Sequence, residues 1–468
     1  MAGLDVAASA SRAGALAREA GDWLQRHQAA IRRAQWAVVA LYLVLVVTPA
    51  LLPLPDRTAR IWTDLTSFAQ FLFWGLWWPF VLLSMVLVGR AWCGLFCPEG
   101  ALTEAASRVG RGRAIPRWLT WAGWPFVAFA LTTVYGQMVS VYQYPKPTLL
   151  ILGGSTLAAM TVGYLYGRNK RVWCRYLCPV SGVFALLAKL APLRFRVDRE
   201  AWAASQAAGG TGLRPVNCAP LVPIRTMEGA SLCHMCGRCS GFRGAIELGW
   251  RSPNQEIVEV AGRHTNPWET ALILFGLMGI AVGAFHWSSS PWYVAIKQAA
   301  AAWLVDRGIL WPLETAAPWW LLTDYPDRND VLTLLDGALL LAYVAATALA
   351  LGTALAGLLA LGTRLAGRWS AERFHHLAQT LLPLAGCGVF LGLSALTVTL
   401  LEEEGLRLAW VDDLRALLLA GATLWSVWLA WRVVGLWTAG RARGLAVTCV
   451  AAAALVGDSG WWLLFWHW

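Results

Sequence analysis

Eight of the chain's ten cysteines stand in groups whose spacing suits thiolates that ligate metal. Cys93 and Cys97 lie in GRAWCGLFCPEG, and Cys174 and Cys178 lie in KRVWCRYLCPVSG. Cys233, Cys236 and Cys239 form CHMCGRC, with Cys218 upstream in PVNCAP. C-x-x-C-x-x-C is the ligand loop of ferredoxins, in which three thiolates wrap one iron–sulfur cube. The Cys-Pro that usually completes the loop three residues further on is missing, because Arg243 and Gly244 stand there. Cys218, two residues before Pro220, is the expected fourth ligand. A cube short of one protein ligand, a three-iron form and a zinc knuckle are the other readings. His234, inside the loop, is expected to donate a hydrogen bond near the cluster rather than to ligate it.

The first two motifs are copies of one unit, W-C-x-x-x-C-P, since 174 − 93 and 178 − 97 both give 81. Such self-similarity marks an internal repeat of helix pairs about a pseudo-twofold axis. Within each copy, cysteines at i and i+4 would share a helical face, and Pro98 or Pro179 would end or bend that helix. Two copies meeting supply four thiolates, the number a [4Fe–4S] cube needs. A pair of redox-active dithiols, a thiolate site for Cu(I) or Zn(II), and inert packed thiols compete with that reading. Eight cysteines divide into two sets of four, so two [4Fe–4S] clusters are expected. Cys387 and Cys449, alone in apolar runs, read as small buried hydrophobes.

The elements that must position these thiols are membrane helices. Side chains are 58% hydrophobic and 14% charged, and the mean hydropathy is +0.52. That charge content is too low for a water-facing surface, and thirty tryptophans suit a bilayer interface. The fold expected is an all-α polytopic membrane protein of about nine spans, near 35–54, 65–88, 118–138, 148–166, 268–288, 333–362, 377–400, 414–436 and 444–466. Lys and Arg gather around 32–33, 90–117, 168–175, 364–373 and 441–443, which places the N-terminus and the eight clustered cysteines in the cytoplasm. The net charge of +11 therefore argues for anionic lipid as a partner and against nucleic acid. In the reducing cytosol, metal ligation is expected over disulfides. The organisation read from this is a cytoplasmic N-terminal segment 1–34, a repeat unit 35–194, a cytoplasmic Fe–S segment 195–267 and a C-terminal membrane unit 268–468 with an outer-face cap at 289–330. No removed signal peptide is expected, and residues 14–34 read as a weakly amphipathic surface helix.

Together these motifs resemble the NapH-like, NosR-like and CcoG-like polytopic membrane ferredoxins. The resemblance covers roughly 35–260 and rests on Trp92, Cys93, Cys97, Pro98, Trp173, Cys174, Cys178, Pro179, Cys233, Cys236 and Cys239. It implies electron transfer at a bacterial cytoplasmic (inner) membrane. The chain departs from it in having one truncated ferredoxin motif plus Cys218, where typical members carry two full ones. Residues 268–468 are not assigned by it, and AGATL at 420–424 is a poor match to a covalent flavin site.

Absences narrow the chemistry. There is no C-x-x-C-H for a c-type haem, no histidine pair deep in the spans for a b haem, and no Walker loop or dinucleotide fingerprint; the glycine-rich AAGGTG at 207–212 lacks the lysine. Acid–base catalytic residues are not visible. His375 and His376 read as snorkelling at a helix end. Asp336 and Asp458, the ionisable groups in or beside spans, read as proton exchangers for a quinone or as boundary residues in contact with water. The expected role is that of an electron carrier, or a subunit of an oxidoreductase system, passing electrons between a quinol or cytoplasmic donor and a protein redox partner. An assembly, maturation or metal-reducing accessory factor for a respiratory metalloenzyme such as a cytochrome oxidase is the alternative.

Overall fold

A computed structural model describes residues 12–56, 58–207, 215–315 and 317–468. The glycine-rich stretch 207–212 lies, apart from Ala207, outside the described residues. Among those described, eight helices are long and apolar enough to cross a membrane: Gln28–Leu51, Leu65–Val88, Pro145–Tyr166, Pro267–His286, Leu334–Leu365, Leu382–Glu403, Val411–Val434 and Gly440–His467. The ninth expected span, 118–138, is helical only over the 15 residues Trp124–Met138. At about 1.5 Å per residue that is roughly 22 Å, less than the ~30 Å hydrocarbon core. Pro125 explains the late start, because proline is tolerated only in a helix's first turn. Ser140, with φ of 49°, lies just beyond the other end.

The chain divides into two compact units, Met1–Val44 with Phe80–Pro125 and Ser155–His264, and Leu45–Pro79 with Phe126–Gly154 and Thr265–Trp468. In the first, strands Leu193–Val197 and Ile246–Trp250 pair antiparallel, with Phe195 opposite Leu248 and Val197 opposite Ile246. Phe195, Ile246 and Leu248 share a small core with Cys233, Met235 and Ala17. Ala17 belongs to the helix Arg12–Arg26, whose buried residues Gly14, Ala17 and Gly21 form a stripe of small side chains. The lack of side-chain bulk lets this helix lie on the second strand, where Gly21 sits beside Leu248 and Ser240. Polar contacts fix it there: Arg18 pairs with Glu247 at 2.7 Å, Ser240 donates to Asp22 at 2.9 Å, and the Trp250 indole donates to the Ala13 carbonyl at 2.9 Å. The surface helix expected over 14–34 is thus replaced by two helices, one docked on the strand Ile246–Trp250 and one that opens the first long span at Gln28.

In the same unit, buried Arg251 pairs with Glu256 and donates to the carbonyls of Ala188, Lys189 and Ala191. These are the orphan carbonyls at the end of the apolar helix Ser181–Leu190, which a guanidinium fork satisfies together. The second unit is a helix bundle packed through glycine. Gly279 and Gly283 lie on Ala348 and Val344, Gly457 on Met278, and Gly388 on Trp461. Small residues let membrane helices approach until their backbones nearly touch. Thr333 and Asp336 form a capping box at the start of Leu334–Leu365, and Lys297 pairs with Asp336 at 2.5 Å. Asp336 is therefore a buried, ion-paired cap rather than a group in contact with water. The segment 289–330 holds the helix Pro291–Asp306, with Trp292 and Trp303 exposed on it, and a two-residue hairpin pairing Asp324–Tyr325 with Asp330–Val331.

Candidate iron–sulfur site

Both copies of the repeat build the same turn. Cys93 lies in the helix Ala91–Leu95, and Cys174 in Val172–Tyr176. The Trp92 carbonyl then accepts from both Phe96 and Cys97, at 2.9 Å each, and the Trp173 carbonyl from Leu177 and Cys178, at 2.9 and 3.0 Å. The paired cysteines do not share one helix face, as their i, i+4 spacing suggests. Cys97 instead caps the next helix, Pro98–Arg108, its Sγ accepting from the Gly100 N–H at 3.4 Å, and Pro98 opens that helix instead of ending one. Cys178 stands before the turn into Ser181–Leu187, and its carbonyl accepts the Ser181 N–H at 3.0 Å. A helix that stops and restarts between the cysteines turns the second thiol of each pair onto a new axis, and in the first copy it aims the Gly100 amide at Cys97 Sγ.

The repeat also contains an arginine that the cysteine motifs do not include. Arg90 and Arg171 are the N-cap residues of the two cysteine helices, and they stand 171 − 90 = 81 residues apart, the offset of the cysteines. Each reaches into the other copy. Arg171 donates to the Cys93 carbonyl at 2.6 Å, while Arg90 donates to Ser181 Oγ at 2.9 Å, which in turn donates to the Cys174 carbonyl at 2.8 Å. Glu104 accepts from Arg171 and from Arg238, each at 2.8 Å.

The CHMCGRC loop lies directly on the first motif. A Cβ added to Gly94 would come within 2.0 Å of the His234 carbonyl oxygen and 2.9 Å of the Cys236 nitrogen. Only glycine permits that approach. The loop is tightly wound: Met235 and Gly237 have φ of 52° and 75°, and Cys233 Sγ accepts the Met235 N–H at 3.4 Å. Gln28 donates to the Cys236 carbonyl at 2.8 Å, and Leu24 covers Gly237. Upstream, Lys170 donates to the Cys218 carbonyl at 3.0 Å and Asn217 to the Asn169 carbonyl at 3.0 Å, while the Ala219 carbonyl accepts the Arg171 N–H at 2.8 Å.

Electrostatics divide the thiols as their spacing does. Besides burial, Cys178 is pushed up by Glu99 and then by Cys174, Cys97 and Cys93, and Cys239 by Cys233, Cys236 and Cys218. Burial is the larger cause in both, and it pushes the Cys174 and Cys233 thiols up to about 12. Thiols so placed ionise only beside strong positive charge, which iron supplies on ligation. All eight are free thiols. Beside them, Arg90 Nε, Arg171 Nη2 and His234 Nδ1 are buried without a hydrogen-bond partner among the described residues. Burial first, then the charges of Arg90, Arg171 and Arg175, holds His234 well below the usual imidazole range, hence neutral. Among the described residues no three His, Cys, Asp or Glu side chains close on one point as ligands of a single metal ion. A cube's thiolates each hold a different iron, so its ligands stand apart. Buried thiols, amides that donate to Cys97 and Cys233 sulfur, and buried arginine N–H groups without a partner among the described residues suit an anionic iron–sulfur group.

Residues 70–117 and 150–198 each match a 4Fe–4S binding domain. Two stretches of this chain are therefore similar to a 4Fe–4S binding domain. The two matched stretches contain Cys93, Cys97, Cys174 and Cys178 and repeat at the cysteine offset, whereas Cys218 and CHMCGRC lie beyond them. YccM of Escherichia coli (strain K12), named as an electron transport protein, is 24% identical over 237 residues, or 44% of this chain and 62% of the relative. The methylamine utilization ferredoxin-type protein MauN of Methylorubrum extorquens is 30% identical over 25% of this chain and 45% of its own. The regulatory protein NosR of Pseudomonas aeruginosa is 28% identical over 24% of this chain and 18% of its own. The chain thus spans less than two thirds of the length of each. No solved structure matches it.

The remaining candidates lie elsewhere. Cys387 and Cys449 are in helices of the second unit, Cys449 buried and Cys387 half-buried. Thr423 of AGATL donates to Asp458 at 2.8 Å, which gives both residues a structural use. His375 bonds Thr270 at 2.9 Å, and His376 is buried edge-on to Trp437, so the second does not snorkel.

Proposed function

We propose that Cys93, Cys97, Cys174 and Cys178 hold one [4Fe–4S] cluster, that Cys218, Cys233, Cys236 and Cys239 hold a second, and that the protein conducts electrons between them. Such clusters supply one-electron storage without protein rearrangement. The electrons pass from a quinol or a cytoplasmic donor to a protein redox partner at a bacterial inner membrane, with both clusters on the cytoplasmic side. The observation that carries this reading is the backbone contact at Gly94. The residue after Cys93 approaches the backbone of His234 and Cys236, which supports two thiol sets close enough to exchange electrons. In the working protein the buried loops would exclude water from the thiolates, while the Gly100 and Met235 amides, which donate to the Cys97 and Cys233 sulfurs, would orient toward sulfur.

Anaerobic purification in detergent, with iron and sulfide counted per chain and electron paramagnetic resonance recorded after reduction, tests it. About eight irons are expected, with about four lost in Cys93→Ser and about four in Cys236→Ser. A chain that binds about four irons, all lost in either variant, would remove the second cluster. One that binds zinc and no iron would sink the reading altogether.

A further inference from the structure

We propose that Arg90 and Arg171 form a reciprocal cationic clamp, which ties both thiol sets together and raises the reduction potential of both iron–sulfur sites. This rests on the two-cluster reading above. It goes beyond ligation, because neither arginine is a ligand.

Hydrogen bonds carry each arginine into both sets. Arg90 donates to the Ser231 carbonyl at 3.0 Å, two residues before Cys233, and through Ser181 to the Cys174 carbonyl. Arg171 donates from its side chain to the Cys93 carbonyl and from its backbone to the Ala219 carbonyl, next to Cys218. Glu104, held by Arg171, also holds Arg238, next to Cys239. Replacing Arg90 breaks its contacts to both sets. Replacing Arg171 breaks its bond to Cys93 and releases Glu104, which still holds Arg238 beside Cys239, while its backbone bond to Ala219 remains.

The charges do not balance within the protein. Arg90 and Arg171 are 3% and 1% exposed, and a guanidinium so buried requires an anion. Glu104 is the carboxylate that pairs with Arg171 and it is shared with Arg238, while Arg90 has none among the described residues. The missing negative charge is that of the thiolates. Arg171 acts on Cys174 and Cys236, and Arg90 on Cys174 and Cys233. Each site's reduction adds one electron and so one negative charge. A fixed buried cation favours that reduced form, which raises the potential. The duplication of the arginine at the cysteine offset makes the effect two-sided.

The test uses the full chain in detergent, titrated anaerobically with dithionite as the electron source and followed by electron paramagnetic resonance. In Arg90→Met and Arg171→Met the midpoints of both signals shift downward at wild-type iron content. Arg90→Lys, which keeps the charge, stays closer to wild type. Glu104→Gln removes the opposing anion and shifts both midpoints upward. If an arginine variant fails to retain iron, Glu104→Gln and the other arginine decide the matter. Unmoved midpoints in the iron-replete variants, or movement of one signal alone, overturn the clamp. A wild-type chain without two reducible signals overturns the two-cluster reading instead.

Discussion

Gly94→Ala separates local preference from tertiary packing with one methyl group. Gly94 lies in the helix Ala91–Leu95, where alanine is favoured over glycine by about 1 kcal/mol. If the residue answered only to its own helix, the substitution would stabilise. The new Cβ, however, would stand 2.0 Å from the His234 oxygen, 2.9 Å from the Cys236 nitrogen and 3.0 Å from its Cα. An ordinary contact begins near 3.4 Å, so the CHMCGRC loop must retreat by roughly 1.4 Å. All three obstacles are backbone, in a loop held by Gln28 and by two left-handed residues, and no rotamer change relieves them. Overpacking of that kind costs about 1–3 kcal/mol, or more where backbone must move, and outweighs the propensity gain. Thermal unfolding in detergent should fall, and reduced samples should lose magnetic interaction between the two sites. A variant as stable as wild type, with its iron content and spectrum unchanged, would refute the packing of one cysteine motif on the other.

Glu104 gives a pH dependence with a definite sign. Burial pushes its carboxyl up, but Arg171 and Arg238 together hold it below the usual range. A depressed folded value stabilises above the unfolded carboxylate value of about 4.3, and the contribution is lost as pH falls through the folded value. The first unit should therefore loosen below about pH 4, seen as iron release, and a gain in stability on acidification would contradict the ion pair. Glu104→Leu strands buried Arg171 and half-buried Arg238 and should cost about 3–5 kcal/mol in thermal or denaturant unfolding, while a loss under 1 kcal/mol would show the pairs to be idle. Gly21→Val would drive side-chain atoms into Leu248 and Ser240, each only 2.9 Å from where the first added carbon would sit. Trypsin should then cut at Arg18 and Arg26 faster than in the parent, and equal rates would mean the N-terminal helix is not docked. Thr333→Ala removes half of a capping box and should lower stability by about 1 kcal/mol, with no change in iron content.

The cysteine groups and the spans are legible in the sequence because each is a dense local signal: fixed spacing in one case, long apolar runs in the other. The offset of 81 residues is visible by subtraction and reappears in the matched domains. The same subtraction finds Arg90 and Arg171, but a reading centred on sulfur leaves them as loop charges. Glu104 and Gly94 are hidden for a different reason. Their importance lies in partners 67 or more residues away, and nothing in a local window marks it. The stripe Gly14, Ala17, Gly21 is weakly apolar and reads as a poor membrane-surface helix, although its lack of bulk is what lets it dock. The spacing of Cys93 and Cys97 misleads about shape, since a helix interrupted by Pro98 keeps the count but turns the second thiol onto a new axis.

The exchange of arginines between copies bears on how such a chain can be cut or reassembled. A fragment ending between the two motifs would retain Arg90 without the serine hydroxyl it reaches, and the complementary fragment would retain Arg171 without Cys93 or Glu104. Neither piece can satisfy its own interior cation. Copy one and copy two thus complete each other's arginine contacts, and fragments expressed separately should bind iron only when combined.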